Sequence, residues 1–204
     1  FPFLINGNYQ CTGWSMRTAH LEADGRQIVI GPSGDNDFIV QRKVYVPREG
    51  GFARYLEIIT NPLDIPMEVK TEVPVHTYDY SNTFAVAPQD TGFTYDVTRA
   101  GNTGNSLALA HVFAGRGTVP VPVGSSGIYS GYSTYFNYTW RATVPAGGTI
   151  ILMHFAVQRG PGDVAGAQAQ AEALVDLADP MALAGMTDEE KALVKNFDLL
   201  KPPN

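Results

Sequence analysis

The sequence predicts a mainly β protein: an antiparallel β-sandwich of about ten strands with two short C-terminal helices packed against it. Three observations carry this. Runs rich in Val, Ile, Tyr, Phe and Thr recur up to residue 158, separated by Gly, Pro, Asn and Asp. Turn-formers are plentiful, with 21 Gly and 14 Pro, while charged residues make up only 17% of the chain, below the usual quarter. Apolar spacing of three and four residues appears only after Gly160-Pro161-Gly162.

The first strand run is 2–9 (PFLINGNY), followed by 26–30 (RQIVI) and 37–47 (DFIVQRKVYVP). In the next, 52–60 (FARYLEIIT), Phe52, Arg54, Leu56 and Ile58 take one face. Ala53, Tyr55, Glu57 and Ile59 take the other. Pro47 closes its strand because it has no N–H for the ladder, and Gly50-Gly51 supply the freedom for a reversal. Residues 38–47 and 52–60 are therefore expected to pair as a hairpin, with Asn61-Pro62 turning out of it. Arg48 and Glu49 read as solvated loop-tip charges. Arg54 shares an apolar face and needs a partner; an ion pair with an Asp from 79–96 is expected.

Further strand runs are 67–77 (MEVKTEVPVHT), 93–98 (FTYDVT), 107–114 (LALAHVFA), 118–123 (TVPVPV), 132–144 (YSTYFNYTWRATV) and 149–158 (TIILMHFAVQ). They complete a sandwich over 1–160. Residues 161–204 form a helical extension of the same structural domain. In 164–178, Ala167, Ala171, Leu174 and Ala178 make a small-residue helix face, ended by Asp179-Pro180. Thr187 with Glu190 is a capping box opening a second helix, whose buried stripe is Leu193, Val194 and Phe197. Pro202-Pro203 reads as linker, and Phe1-Pro2-Phe3 as the start of a processed or excised segment.

Lys and Arg total 14 against 20 Asp and Glu, for a formal charge of −6 and a pI near 5.1. Nucleic-acid binding draws its affinity from clustered cations, and none cluster here, so neither nucleic acid nor an anionic membrane surface is an expected partner. No apolar run approaches the ~18 residues of a membrane span, and no membrane insertion is expected. Cys11 is the single cysteine, so no internal disulfide or thiolate zinc site is available and packing must hold the core.

No cofactor, metal or catalytic residue is predicted. His111 and His154 sit inside apolar runs and read as hydrogen-bonded core residues; His20 and His76 complete the set. No H-E-x-x-H, G-x-S-x-G, P-loop or EF-hand pattern occurs. Asp35, Asn36 and Asp37 form an Asx-rich loop that reads as a turn before it reads as a calcium site. Asp79, Asp90 and Asp96 fall in one loop-rich region, but spacing alone does not make the carboxylate pair that glycoside hydrolysis needs. The strongest ligand-binding candidates are Tyr129, Tyr132 and Tyr135 in "IYSGYSTYFNYTW", 128–140, where amphipathic aromatics offer a stacking surface. Phe136, Tyr138 and Trp140 share one strand face, with Tyr135, Asn137 and Thr139 opposite; against the binding surface stands the reading in which Phe136 and Trp140 fill the core and Tyr129 and Tyr132 cover a hairpin.

The stretches "RKVYVPREGGFARYLEIITNP" (42–62), "VPAGGTIILMHFAVQ" (144–158) and "AEALVDLADPMALAGMTDEEKALVKNF" (171–197) resemble an extracellular β-sandwich module. That module recurs in large secreted or cell-surface multidomain proteins of bacteria. The resemblance covers about three-fifths of the chain, mostly scaffold. It implies a location outside the cell among other β domains and supplies no catalytic residue. The middle, 78–106, departs from the Asp/Gly-rich pattern of that group, and no metal role carries over.

The expected function is a non-catalytic module serving adhesion or assembly, with other subunits or neighbouring domains as partners. One form of assembly would use Phe1–Tyr9 as a strand added to a neighbour's sheet, against its being an edge strand of its own sheet. The alternative is a carbohydrate-binding module using the tyrosine cluster on a polysaccharide. A polysaccharide-acting enzyme is the third reading.

Overall fold

The computed structural model describes residues 3–10, 18–35, 37–77, 95–99, 107–129 and 134–199. Among them lie the strands β1 (Phe3–Ile5), β2 (Asn8–Gln10), β3 (Ala19–Glu22), β4 (Gln27–Asp35), β5 (Phe38–Tyr45) and β6 (Phe52–Thr60). They are followed by β7 (Met67–Thr77), β8 (Tyr95–Arg99), β9 (Leu107–Val112), β10 (Val123–Tyr129), β11 (Thr134–Val144) and β12 (Thr149–Pro161). The helices are α1 (Val164–Val175) and α2 (Asp188–Leu193). A five-stranded sheet runs β10-β11-β7-β1-β2 and a seven-stranded sheet β3-β4-β5-β6-β12-β9-β8. Every strand pairing is antiparallel. The predicted sandwich is the observed one.

Local chemistry explains the boundaries. Run 2–9 divides at Asn6-Gly7, both at positive φ (48° and 86°), the pair that a two-residue hairpin turn favours. The resulting β1 pairs with β2 and with β7, so residues 3–10 belong to this chain's own sheet. Asp35 and Phe38 are the last register partners of β4 and β5, and the chain reverses between them. The β5–β6 hairpin forms as predicted, from Ile39↔Thr60 to Tyr45↔Arg54. Gly50 and Gly51 take φ of 111° and 64°, and a Cβ on Gly51 would stand 2.9 Å from the Gln158 carbonyl oxygen. Only glycine lets this turn cross β12.

Run 118–123 is a correction. Pro120 and Pro122 remove ladder donors, and Val119 and Val121 are instead buried in an irregular segment. Strand pairing begins only at Val123. β3 falls outside the predicted runs, since its four residues, AHLE, carry little strand pattern.

Two apolar cores make three layers. Between the sheets, Phe3, Ile5, Val69, Val73, Tyr138 and Trp140 meet Phe38, Val40, Ile59, Ile150 and Leu152. On the other side of the larger sheet, Phe52, Leu56, Met153 and Phe155 meet the helical segment. In α1, Ala167 and Ala171 let the helix lie close on the sheet, and Asp163 caps it by accepting from the Gly166 N–H at 3.0 Å. The helix ends three residues before the predicted stop. Leu177 turns left-handed (φ 54°), and the Ala178 N–H reaches back to the Ala173 carbonyl at 2.8 Å, a Schellman closure. Ala178 is consequently exposed, and Val175 takes the buried place.

The Thr187–Glu190 capping box is present in both directions. Yet α2 stops at Leu193, so Val194 and Phe197 are buried from an extended segment, not from a helix stripe. Asn196 pins that segment: its Nδ2 donates to the Phe113 and Met153 carbonyls at 2.6 and 2.7 Å, and its Oδ1 accepts from the Met153 N–H at 2.9 Å.

Arg54 also departs from expectation. It is 0% exposed and faces the helical layer, where its Nη1 donates to the carbonyls of Ala182 (2.9 Å) and Ala184 (2.8 Å). Nη2 donates to Gln27 Oε1 at 3.0 Å, and the guanidinium lies 4.9 Å from the Tyr45 ring centroid. Among the described residues its partners are carbonyls and an amide in place of the expected carboxylate, because that face of β6 looks toward the 179–187 connection. Burial pushes its pKa down to about 10, which leaves it charged at neutral pH. Arg54→Met keeps the aliphatic stem but strands three acceptors, and a loss of about 3 kcal/mol is expected in urea unfolding; a loss below about 1 kcal/mol would contradict the clamp.

Candidate functional site

The inter-sheet face of the larger sheet carries charge where alternation calls for apolar residues. Arg42, on the Phe38–Val40 face of β5, and Glu57, on the Tyr55–Ile59 face of β6, are register partners. Arg42 grips Glu57 with both ends of its fork: Nε lies 2.9 and 3.0 Å from the two carboxylate oxygens and Nη2 2.6 Å from Oε1. His154 of β12 adds a fourth bond, Nε2 to Oε1 at 3.0 Å. Glu57 is 0% exposed. Burial alone would raise its carboxyl, but Arg42 and then His154 outweigh that and hold it below the usual carboxylate range. Burial pushes His154 down against the pull of Glu57; the imidazole is therefore neutral, with its proton on Nε2 facing the carboxylate. The Tyr55 ring stacks on His154, centroids 4.7 Å apart and 8° from parallel.

Next to this network the same face is hollowed into a cleft of about 550 Å³. Ala53 and Ala156 are cross-strand partners, and Ala156 is also the register partner of His111. Small side chains at that crossing leave a dent in the sheet face. Tyr55, His111, Leu109 and Gln158 line it together with the β5–β6 turn (Val46, Pro47, Arg48). Burial pushes His111 down to about 3, so it is a neutral imidazole at neutral pH. Burial likewise raises Tyr55, which keeps its phenol protonated. These groups offer hydrogen bonds and a flat surface rather than a poised acid–base pair. Arg48 is exposed, as a loop-tip charge should be, and also stands over the cleft mouth.

The sequence-derived candidates lie elsewhere. Tyr129 and Tyr135 are the last register pair of β10 and β11, and His76 is the β7 partner of Tyr135; Tyr132 lies outside the described residues. Trp140 is buried in the inter-sheet core as expected, and Tyr138 is buried beside it. Cys11, Asn36, Asp79, Asp90 and Pro202-Pro203 lie outside the described residues, whereas Asp96 is in β8 with its Cα opposite His111. His111 and His154 are core residues, and His20 is exposed beside Glu22. Among the described residues no three His, Cys, Asp or Glu side chains converge as a metal would require, and no helix is long and apolar enough to cross a membrane.

No protein-family model matches the chain, and no curated protein matches it. Solved structures give partial likenesses. A putative kojibiose phosphorylase from human microbiome is 11% identical with a TM-score of 0.48, over 74% of this chain and 20% of that one. The heparan sulfate lyase HepC from Pedobacter heparinus is 12% identical with a TM-score of 0.45, over 71% and 22%. A putative aldose 1-epimerase from Klebsiella pneumoniae is 11% identical with a TM-score of 0.42, over 87% and 58%. The chain thus spans about a fifth of the first two.

Two outcomes follow from the buried network. Glu57→Gln leaves the Arg42 charge in the core without its counter-ion, and a loss of about 3–5 kcal/mol is expected by chemical unfolding; a nearly neutral effect would mean the pair is dispensable. Stability should also fall with acid. Below pH 6.5 the unfolded chain protonates His111 and His154 more readily than the folded chain, where burial lowers both, so protons drive unfolding. For His111 the loss is up to about 1.4 kcal/mol per pH unit between 6.5 and its folded value. Glu57, lowered by folding, contributes stability above its ordinary value of 4.5 that is lost as pH falls through the folded one. Urea midpoints at pH 7, 6 and 5 test this, and a flat profile would refute it.

Proposed function

We propose that the chain is a carbohydrate-binding β-sandwich module of an extracellular protein, that it holds a sugar ring in the cleft over Ala53 and Ala156, and that its role is adhesion to glycans. The observation that carries this is the dent at the Ala53–Ala156 crossing, walled by Tyr55, His111 and Gln158. Its volume of about 550 Å³ suits a small ligand. Aromatic and small apolar surface gives a sugar ring a flat contact, while the phenol, imidazole and amide offer hydroxyl groups both donors and acceptors. The sequence resemblance of 42–62, 144–158 and 171–197 supports a place outside the cell.

A glycan array run on the intact chain tests binding. Ala156→Leu fills the dent without removing any polar contact, and it should weaken the retained glycan at least tenfold; Gln158→Ala should weaken it by about fivefold, the worth of one hydrogen bond. Tyr132→Ala should leave it unchanged. Loss with Tyr132→Ala and none with Ala156→Leu would move the ligand to the Tyr129, Tyr132 and Tyr135 cluster. Retention of no glycan at all would sink the reading.

A further inference from the structure

Resting on the reading of the cleft as a sugar site, we propose that the sugar it takes is acidic, a ring bearing a carboxylate such as a uronic acid, and that Arg48 receives that carboxylate. The inference comes from the distribution of charge. Among the described residues that line the cleft, Arg48 is the one formal charge; the other polar side chains, Tyr55, His111 and Gln158, are neutral. The nearest buried carboxylate, Glu57, is 0% exposed and spent on Arg42 and His154. It therefore presents no bare negative charge to the cleft. Among the described residues Arg48 makes no ion pair, although Asp24 and Glu49 line the neighbouring hollow that it also borders. On a chain with a net charge of −6, the described residues that line the cleft carry a net positive charge.

The position suits the task. Arg48 projects from the turn that Pro47 and the two glycines hold in place, and Gly51 is locked against β12 by the Gln158 N–H to Gly51 carbonyl bond at 2.8 Å. The guanidinium fork matches a planar carboxylate in a way an ammonium does not. A ring lying on the alanine floor with its hydroxyls toward His111 and Gln158 directs a substituent to the rim. There, a carboxylate meets a cation without having to lose all its water.

The test compares trigalacturonate and an oligoglucuronan with their own methyl esters, which keep ring and linkage but lose the charge, by isothermal titration at 50 and 500 mM NaCl. The expected result is that one acid binds about tenfold more tightly than its ester, the size of one charge-assisted hydrogen bond. The gap should narrow at high salt. Arg48→Gln should abolish the gap, and Arg48→Lys should restore only part of it; thermal unfolding checks that both variants fold. Equal affinity of acid and ester, tighter binding of the ester, or binding of neutral oligosaccharides alone would overturn the acidic ligand and keep the sugar site. Failure of every oligosaccharide, neutral or acidic, would overturn the site itself.

Discussion

A carboxylate has been placed where the sandwich is driest, and the centre of the larger sheet is arranged around it. Glu57 is tolerable there only because Arg42 meets it from one neighbouring strand and His154 from the other. Removing a charge pair and inserting apolar residues is often no loss for stability, so the network is better understood as a constraint on alignment. A one-residue slip of β6 would carry Glu57 to the helix-facing side and leave Arg42 alone between the sheets. Three central strands are thereby held in one register. The cleft inherits that accuracy, because Tyr55 stacks on His154 and the two alanines fall in the next row.

The sandwich is unequal, seven strands against five, and the uncovered portion of the wider sheet is graded. Along one cross-strand row, Leu21, Ile28, Val44 and Tyr55 succeed one another from the β3 edge inward. Leu21 is 66% exposed and Ile28 39%. The surface between the sheets thus passes from solvent to core across four strands, and the cleft sits on the same face. Meanwhile α1 and the 179–197 segment cover the opposite face over β6, β12 and β9, while Ile39 on that face of β5 is 40% exposed.

Much of the scaffold was legible in the chain. Alternation in 52–60, the Gly50-Gly51 reversal and the Thr187–Glu190 box each declare themselves locally, because they depend on near neighbours. Strand ends were read less well where an apolar run outlasted its ladder, as at Val119 and Val121 between prolines. The cleft was not legible. It is made by Ala53, Ala156 and His111, brought together from three strands, and two of them are small residues that look featureless. A signal did exist for the network beneath it: Arg42 and Glu57 each interrupt an inward-facing apolar face, and the predicted β5–β6 hairpin sets them opposite one another. That pairing could have been read by counting back from the turn.

Arg54 shows how such a fold can drift over time. It holds the connection between the helices by main-chain oxygens, those of Ala182 and Ala184, which every residue type possesses. Exposed Met181 and half-buried Leu183 and Ala184 are thus open to exchange as far as this clamp is concerned. An inserted or deleted residue is another matter, since it would carry both oxygens past the guanidinium. The connection is free to change its spelling and not its length.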